Sequence, residues 1–268
     1  GVVNNKFGKT INDELSIDIW PIGNSFSGQF CNNCGQKIVH RITLGHIGHD
    51  MIHAFTHADK GFFHLLLKMF VKPGVVAREY IAEGKRKRYF TPFQYILIVG
   101  TIAAFVAANS HFIESTSAVF TEGAGYTARQ KLFMEKIQGY QKRYYNFMIL
   151  LQLPFYALAT SLVYRKFRYN FAEHLTLQTF TSAQATVIAT MLMLSTFVTG
   201  QAGGTMVSVM GFITAGFQMF AFMQFFKEMS VKGFFKALLA NILGIMLFIF
   251  FVAIGVIIYG VSSGSFSG

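Results

Sequence analysis

Two cysteines and the histidines that follow them are the residues of this sequence best suited to bind a metal. Cys31 and Cys34 form a C-x-x-C pair that is followed directly by Gly35. Two thiolates on such a tight turn supply half of a tetrahedral zinc site, and histidines or a second subunit would supply the rest. The candidate histidines are His40, His46 and His49. The pair predicts a zinc knuckle, with two free thiols in a reducing compartment as the alternative.

A second set of polar residues begins an otherwise apolar segment, with Glu173 at its start. Four of them recur at every fourth position and share one helix face: His174, Gln178, Ser182 and Thr186. Polar groups in lipid are costly and usually face a bundle interior or a wet cavity. The stripe predicts a polar cavity open to the cytoplasmic leaflet, or plain hydrogen bonding between helices.

A third set is cationic and stands just before the first long apolar run, where residues 84–88 read G-K-R-K-R. Each cation near an anionic membrane surface contributes about 1 kcal/mol of attraction. The cluster predicts a topology signal, or a head-group or phosphate site that uses Lys85 and Arg86. The full set of head-group candidates is Lys85, Arg86, Arg88, Arg165 and Arg168. Bound phospholipid is the expected ligand.

The composition excludes several classes of protein. Of the 268 residues, 53% are hydrophobic and only 13% are charged, whereas soluble domains have about 25% charged residues. The net charge is +11, but the basic residues are confined to gaps between apolar runs, which argues against a nucleic-acid binder. Membrane lipids are therefore the predicted partners, together with a protein partner or a second copy of the chain.

Five apolar stretches are long enough to cross a bilayer core, which needs about 20 helical residues. They are residues 92–109, 144–164, 175–199, 203–226 and 234–259, the third being polar in its first half. Pro154 predicts a kink in the second stretch. The predicted fold is an all-α membrane protein with five transmembrane helices, preceded by an interfacial amphipathic helix and the small C-x-x-C knuckle.

The flanking Lys and Arg residues predict the orientation. Eleven lie on one side and five on the other, which places the N-terminus in the cytoplasm and the C-terminus outside. Residues 46–57 predict an amphipathic helix with a histidine face, and residues 62–70 an interfacial helix too short to span. The predicted divisions are a polar segment 1–45, amphipathic helices 46–91 and a transmembrane domain 92–260. Its outer loop, 110–143, includes a predicted helix.

Several stretches carry a resemblance to a known family. They are FCNNCGQK at 30–37, HADKGF at 57–62, KPG at 72–74, EYIAEGKRKRYFTPF at 79–93 and NFAEHLTLQTF at 170–180. In this order the chain resembles an uncharacterised bacterial membrane family, domain-of-unknown-function family 3667, from Cys31 to the end of the third span. That resemblance implies a zinc ribbon with a first C-x-x-C-G pair upstream, but residues 19–23 read I-W-P-I-G in that register. The five-span layout also looks like that of Yip1-type membrane proteins.

These observations predict a bacterial inner-membrane protein that acts as a scaffold or a lipid-interacting subunit of a membrane assembly. The first alternative is a transporter of a small molecule, ion or lipid along the polar stripe. The second is a membrane enzyme acting on lipid head groups, with His174 and Glu173 as its acid–base pair. The sequence contains no nucleophile–base motif, no phosphate loop and no H-E-x-x-H motif. An enzymatic function therefore has little support.

Overall fold

The structure, a computed structural model, describes residues 61–110, 128–199 and 204–262. Within these ranges all regular elements are helices. The first five are α1 (Phe62–Val71), α2 (Pro73–Ile81), α3 (Pro92–Asn109), α4 (Ala128–Arg143) and α5 (Tyr145–Leu151). The others are α6 (Leu153–Val163), α7 (Phe171–Thr199), α8 (Gly204–Phe225) and α9 (Val231–Ser262). The predicted zinc knuckle and the histidine-faced helix 46–57 lie outside the described residues.

The helix boundaries follow local signals in the sequence. Pro73 ends α1 and occupies the first turn of α2, and Pro92 likewise begins α3, because proline lacks the N–H that a helix interior needs. Pro154 is predicted to kink the second span, and the structure has a break there, since α5 and α6 are separated at Gln152. The helix predicted in the outer loop is also confirmed as α4.

Four of the described helical segments are long and apolar enough to cross a membrane. They are Arg86–Asn109, Tyr145–Val163, Met206–Phe225 and Val231–Ser262. They correspond to four of the five predicted spans. Helix α7, which contains the remaining predicted span, is 29 residues long but is not among the four.

Helix α7 lies at the centre of the bundle. It packs against α2, α3, α6 and α8. From residue 172 to residue 186 every side chain is buried except Leu175, which is half-buried. This stretch is therefore enclosed on all sides by protein, which explains how it holds many polar residues without exposing them to lipid.

Helix α2 packs into the same bundle. One hydrophobic core contains Val76 and Tyr80 from α2, Val99 from α3, Phe180 from α7 and Phe222 from α8. The ring of Tyr80 meets that of Phe180 edge to face at 5.1 Å. The core thus includes residues on both sides of position 91, where the predicted amphipathic segment meets the predicted transmembrane domain.

Candidate functional site

Helix α1 has three faces with different surroundings. Leu65 and Met69 are fully buried against the core. The opposite apolar face is exposed and consists of Phe63, Leu67, Phe70 and Val71. His64 and Lys68, one turn apart, occupy the flank between these two faces. A helix with one apolar face outward and a lysine at its edge suits a position at the boundary between acyl chains and head groups.

The polar flank of α1 adjoins a 3₁₀ turn, Arg86–Arg88, which we call the basic turn. Lys68 Nζ donates a hydrogen bond to the Tyr89 hydroxyl at 3.1 Å, and that hydroxyl donates to Glu79 Oε2. Two further cations approach the same carboxylate, with Lys85 Nζ at 3.7 Å and Arg88 Nη1 at 3.8 Å. These five residues therefore tie α1, α2 and the basic turn together.

Positive charge exceeds negative charge in this region. Glu79 and Glu83 are the carboxylates, and the latter is 2.7 Å from Lys85 Nζ. The cations are Lys68, Lys85, Arg86, Lys87 and Arg88. Burial raises the pKa of Glu79, but the hydrogen bond from Tyr89 and the neighbouring cations outweigh it and hold that pKa below its usual value. The pKa of Lys85 is raised, mainly by its hydrogen bond to Glu83.

The predicted head-group residues fall on two turns. Lys85 and Arg88 are ion-paired, yet their side chains are 42% and 52% exposed. Arg86 begins the basic turn and is half-buried. Arg165 and Arg168 are exposed on the turn between α6 and α7. Among the described residues, Arg165 has no ion-pair partner.

Both turns lie at one end of the bundle, which we call the basic end. Arg78 of α2 donates to the carbonyl oxygens of Gln224 and Phe225 at 2.7 and 3.2 Å, so α2 covers the C-terminal end of α8. Tyr164, just before the second turn, stacks on Phe226 at 3.7 Å between ring centroids. The cations of both turns therefore surround the same helix ends.

The joint between α2 and α8 is unusually close. Gly74 N–H donates to Gln224 Oε1 at 3.1 Å. A Cβ atom on Gly74 would lie 2.2 Å from the Ala221 carbonyl oxygen and 2.4 Å from the Phe225 nitrogen. Only glycine fits here, because the two backbones are in contact.

The structure buries all five residues of the predicted polar stripe: Glu173, His174, Gln178, Ser182 and Thr186. Gln178 Nε2 donates to Thr160 Oγ1 on α6 at 3.3 Å. His174 and Ser182 lie on the same face one turn to either side of Gln178. No described protein group hydrogen-bonds either ring nitrogen of His174 or the hydroxyl of Ser182.

Polar residues on the other faces of α7 are buried too. Tyr95 of α3 donates to Gln184 Oε1. Several threonine hydroxyls of α7, that of Thr186 in the stripe included, donate to carbonyl oxygens one turn earlier in their own helix: Thr176, Thr179, Thr181, Thr186 and Thr190. These bonds satisfy polar atoms locally, so most of the polarity of α7 requires no cavity.

Glu173 has a structural explanation. The Asn170 N–H donates to Glu173 Oε2 at 2.7 Å, and the Glu173 N–H donates to Asn170 Oδ1 at 2.8 Å. This reciprocal pair is a capping box that begins α7. The interaction accounts for the carboxylate without an acid–base role beside His174.

Sequence reasoning did not find the contacts that organise the basic end. Glu79 and Tyr89 both occur in the stretch quoted for the family resemblance, but nothing in their spacing indicates that they meet. Arg78 is one of the eleven basic residues that predict the orientation, and no sequence pattern indicates its contact with α8. The available local signal is an arginine four residues after the Pro-Gly pair that begins a helix. Its partner, however, lies about 150 residues away in the chain.

Metal binding stays a prediction. Within residues 61–110, 128–199 and 204–262, no group of three or more His, Cys, Asp or Glu side chains could hold a metal ion. The predicted ligands lie outside these ranges: Cys31, Cys34, His40, His46 and His49.

A family model described as "Protein of unknown function (DUF3667)" matches residues 59–104. This match supports the resemblance seen in the sequence, and it covers α1, α2, the basic turn and most of α3. It includes neither the C-x-x-C pair nor any feature specific to Yip1-type proteins. The comparison with curated proteins and the comparison with solved structures gave no match.

Proposed function

We propose that this protein is a lipid-interacting scaffold of the bacterial inner membrane, with its basic end in the cytoplasmic leaflet. In this proposal α7 is the fifth span, the N-terminus is cytoplasmic and a zinc knuckle precedes α1. The proposed layout is similar to that of Yip1-type proteins. A protein partner or a second copy would dock on the knuckle or the bundle, and no enzymatic step is assigned.

The arrangement of α1 beside the basic turn carries this proposal. Phe63, Leu67 and Val71 are each about two-thirds exposed, on a helix whose opposite face is fully buried at Leu65 and Met69. A lipid environment removes the cost of that exposure, because acyl chains are as apolar as these side chains. The adjacent cations then lie at head-group level, where they attract anionic lipids.

The orientation is supported by charge. Besides the two turns, Lys227, Lys232 and Lys236 lie between α8 and α9 or in the first turns of α9, at the basic end. Cytoplasmic flanks of membrane helices carry an excess of Lys and Arg. Labelling a cysteine introduced at exposed Lys166, with a reagent that does not cross the membrane, tests this point. Labelling in intact cells would contradict the orientation.

Lipid selection tests the scaffold proposal directly. The protein would be placed in nanodiscs of mixed phosphatidylcholine and phosphatidylglycerol, and the lipids bound to it would be counted by native mass spectrometry. We expect phosphatidylglycerol to be enriched over the bulk mixture, and the Lys85→Ala/Arg86→Ala double variant to lose part of that enrichment. Bound lipid of bulk composition would contradict the proposal.

A transport function is the second candidate, and one observation favours it. His174 and Ser182 are buried and share a face with Gln178, and no described residue hydrogen-bonds the ring nitrogens of His174 or the hydroxyl of Ser182. Unsatisfied buried groups are often hydrated, and a continuous wet path would allow a small solute to move. Solute and proton flux into proteoliposomes tests this candidate. Flux that is unchanged from empty liposomes would remove it.

A further inference from the structure

The cations around Tyr89 form a site that the proposed scaffold function leaves unspecified. Lys68 Nζ is 5.2 Å and Arg88 Cζ is 5.9 Å from the centroid of the Tyr89 ring. Lys85 and Arg88 both approach Glu79, whose oxygen is already hydrogen-bonded by Tyr89. Three cations therefore surround the Glu79 carboxylate and the Tyr89 hydroxyl, and one of them, Lys85, also pairs with Glu83.

Within the described parts of the chain these cations use few of their hydrogen-bond donors, the shortest contact being that of Lys85 Nζ with Glu83 Oε2 at 2.7 Å. The ion-pair distances from Glu79 to Lys85 and Arg88, 3.7 and 3.8 Å, exceed hydrogen-bond length. Lys68 donates once, to Tyr89, and an ammonium group has three donors. The guanidinium of Arg88, which has five donors in a planar fork, suits a phosphate group.

We propose that Lys68, Lys85 and Arg88 bind one phosphate group of an anionic lipid, and that Tyr89 and Glu79 position these cations. The proposal rests on the proposed lipid-interacting function and names its ligand. One observation favours a lipid phosphate over free phosphate. The exposed apolar face of α1, which includes Leu67 and Val71, adjoins the flank that carries Lys68. His64 lies on the same flank and stacks with the Tyr89 ring at 6.4 Å between centroids.

Tyr89 joins the two sides of the site. Its hydroxyl accepts from Lys68 and donates to Glu79, so it links α1 to α2 through one oxygen. Replacing it by phenylalanine removes both hydrogen bonds but changes no charge. A diffuse attraction between cations and anionic lipid would be unaffected by that change, whereas a built site would be weakened.

The test uses the full chain in phosphatidylcholine nanodiscs that contain increasing amounts of phosphatidic acid. Native mass spectrometry measures the fraction of protein with bound phosphatidic acid. The site variant is Lys68→Gln/Arg88→Gln, and the matched control is Lys227→Gln/Lys232→Gln, which removes the same charge from exposed residues at the same end that are not head-group candidates. Size-exclusion profiles and thermal melting confirm that each variant is folded.

We expect the site variant to bind phosphatidic acid about tenfold more weakly, and the control to change by less than about twofold. Tyr89→Phe is expected to weaken binding at unchanged net charge. Equal weakening in the site variant and the control would overturn this site but leave the scaffold proposal standing. Absence of any preference for anionic lipid in the unmodified chain would overturn both.

A last arm separates the two sources of phosphate. Inorganic phosphate at millimolar concentration is added to the unmodified protein with phosphatidic acid present. We expect the bound lipid to remain. Complete displacement would assign the site to free phosphate and overturn the lipid assignment.

Discussion

Helices α7 and α9 are the two longest in the described parts of the chain, and they differ in almost every other respect. Helix α9 carries its apolar side chains outward along nearly its whole length, from Phe235 to Val261. Helix α7 begins with polar residues and buries them on every side. Helix α9 is the more hydrophobic of the two and is the less buried inside the protein. Helix α7 is the less hydrophobic and is the more deeply buried.

The stability of this bundle depends mainly on contacts that lipid cannot replace. Lipid can replace protein around α9 at little cost, because both surroundings are apolar. Around α7, and where α2 meets α8, lipid cannot replace the backbone and polar contacts. Matched substitutions in the interior and on α9 should therefore have unequal effects.

The largest effect is expected at Gly74. Gly74→Ala places a methyl group against two backbone atoms that cannot rotate away, so we expect a loss of about 3 kcal/mol or more in unfolding free energy. The matched control is Gly255→Ala on α9, where a Cβ meets nothing within 4 Å. That change should stabilise slightly, since alanine is the better helix former. Thermal melting in detergent measures both changes. Equal melting temperatures for the two variants would contradict the expected difference between the α2–α8 joint and α9.

A smaller loss is expected at Arg78. Arg78→Met keeps the length of the side chain but removes both hydrogen bonds to the end of α8, at a cost of about 2–3 kcal/mol. Lys236→Met on α9 breaks a partly exposed ion pair with Glu228 and should cost less than about 1 kcal/mol. If the lysine change proves the more costly, the α2–α8 joint is not the firmer contact.

Added volume gives a third comparison. Ala183 on α7 is fully buried, so Ala183→Leu overpacks the centre of the bundle and should cost about 2 kcal/mol. Ala253 on α9 is exposed, and Ala253→Leu adds a side chain that lipid accommodates. Urea or thermal unfolding in the same detergent distinguishes them. A neutral Ala183→Leu would mean that α7 is loosely surrounded.

The smallest effect concerns acid. The pKa of Glu79 is held below its usual value, so its contribution to stability is present above the unfolded pKa of about 4.3 and is lost as pH falls through the folded pKa. The melting temperature should therefore decline below about pH 4. Glu79→Gln should flatten that decline, and an identical pH profile in the variant would remove Glu79 as its cause.

Much of the architecture could be predicted because its signals are local. The predicted first span, 92–109, coincides with α3, since Pro92 begins the helix and the apolar run ends at Asn109. The break near Pro154 and the helix before the second span follow equally short patterns.

The candidate site was harder to predict because its contacts are not local. Helical spacing assigns the stripe from His174 to Thr186 to one face, whereas Gln184 and Thr176 on other faces are equally buried. Periodicity detects a difference between two sides of a helix, and a helix enclosed on all sides has none. Likewise, no spacing rule links Gly74 to Gln224.

The closeness of Gly74 to α8 also has a consequence for biosynthesis. Its partner residue is made 150 positions later, which at about 5–20 residues per second is a delay of roughly 8–30 s. Throughout that interval the newly made α2 must wait with its binding surface uncovered, while the ribosome completes the segments that will enclose it. Correct insertion of this chain therefore requires that α2 remain able to pack until α8 has been synthesised.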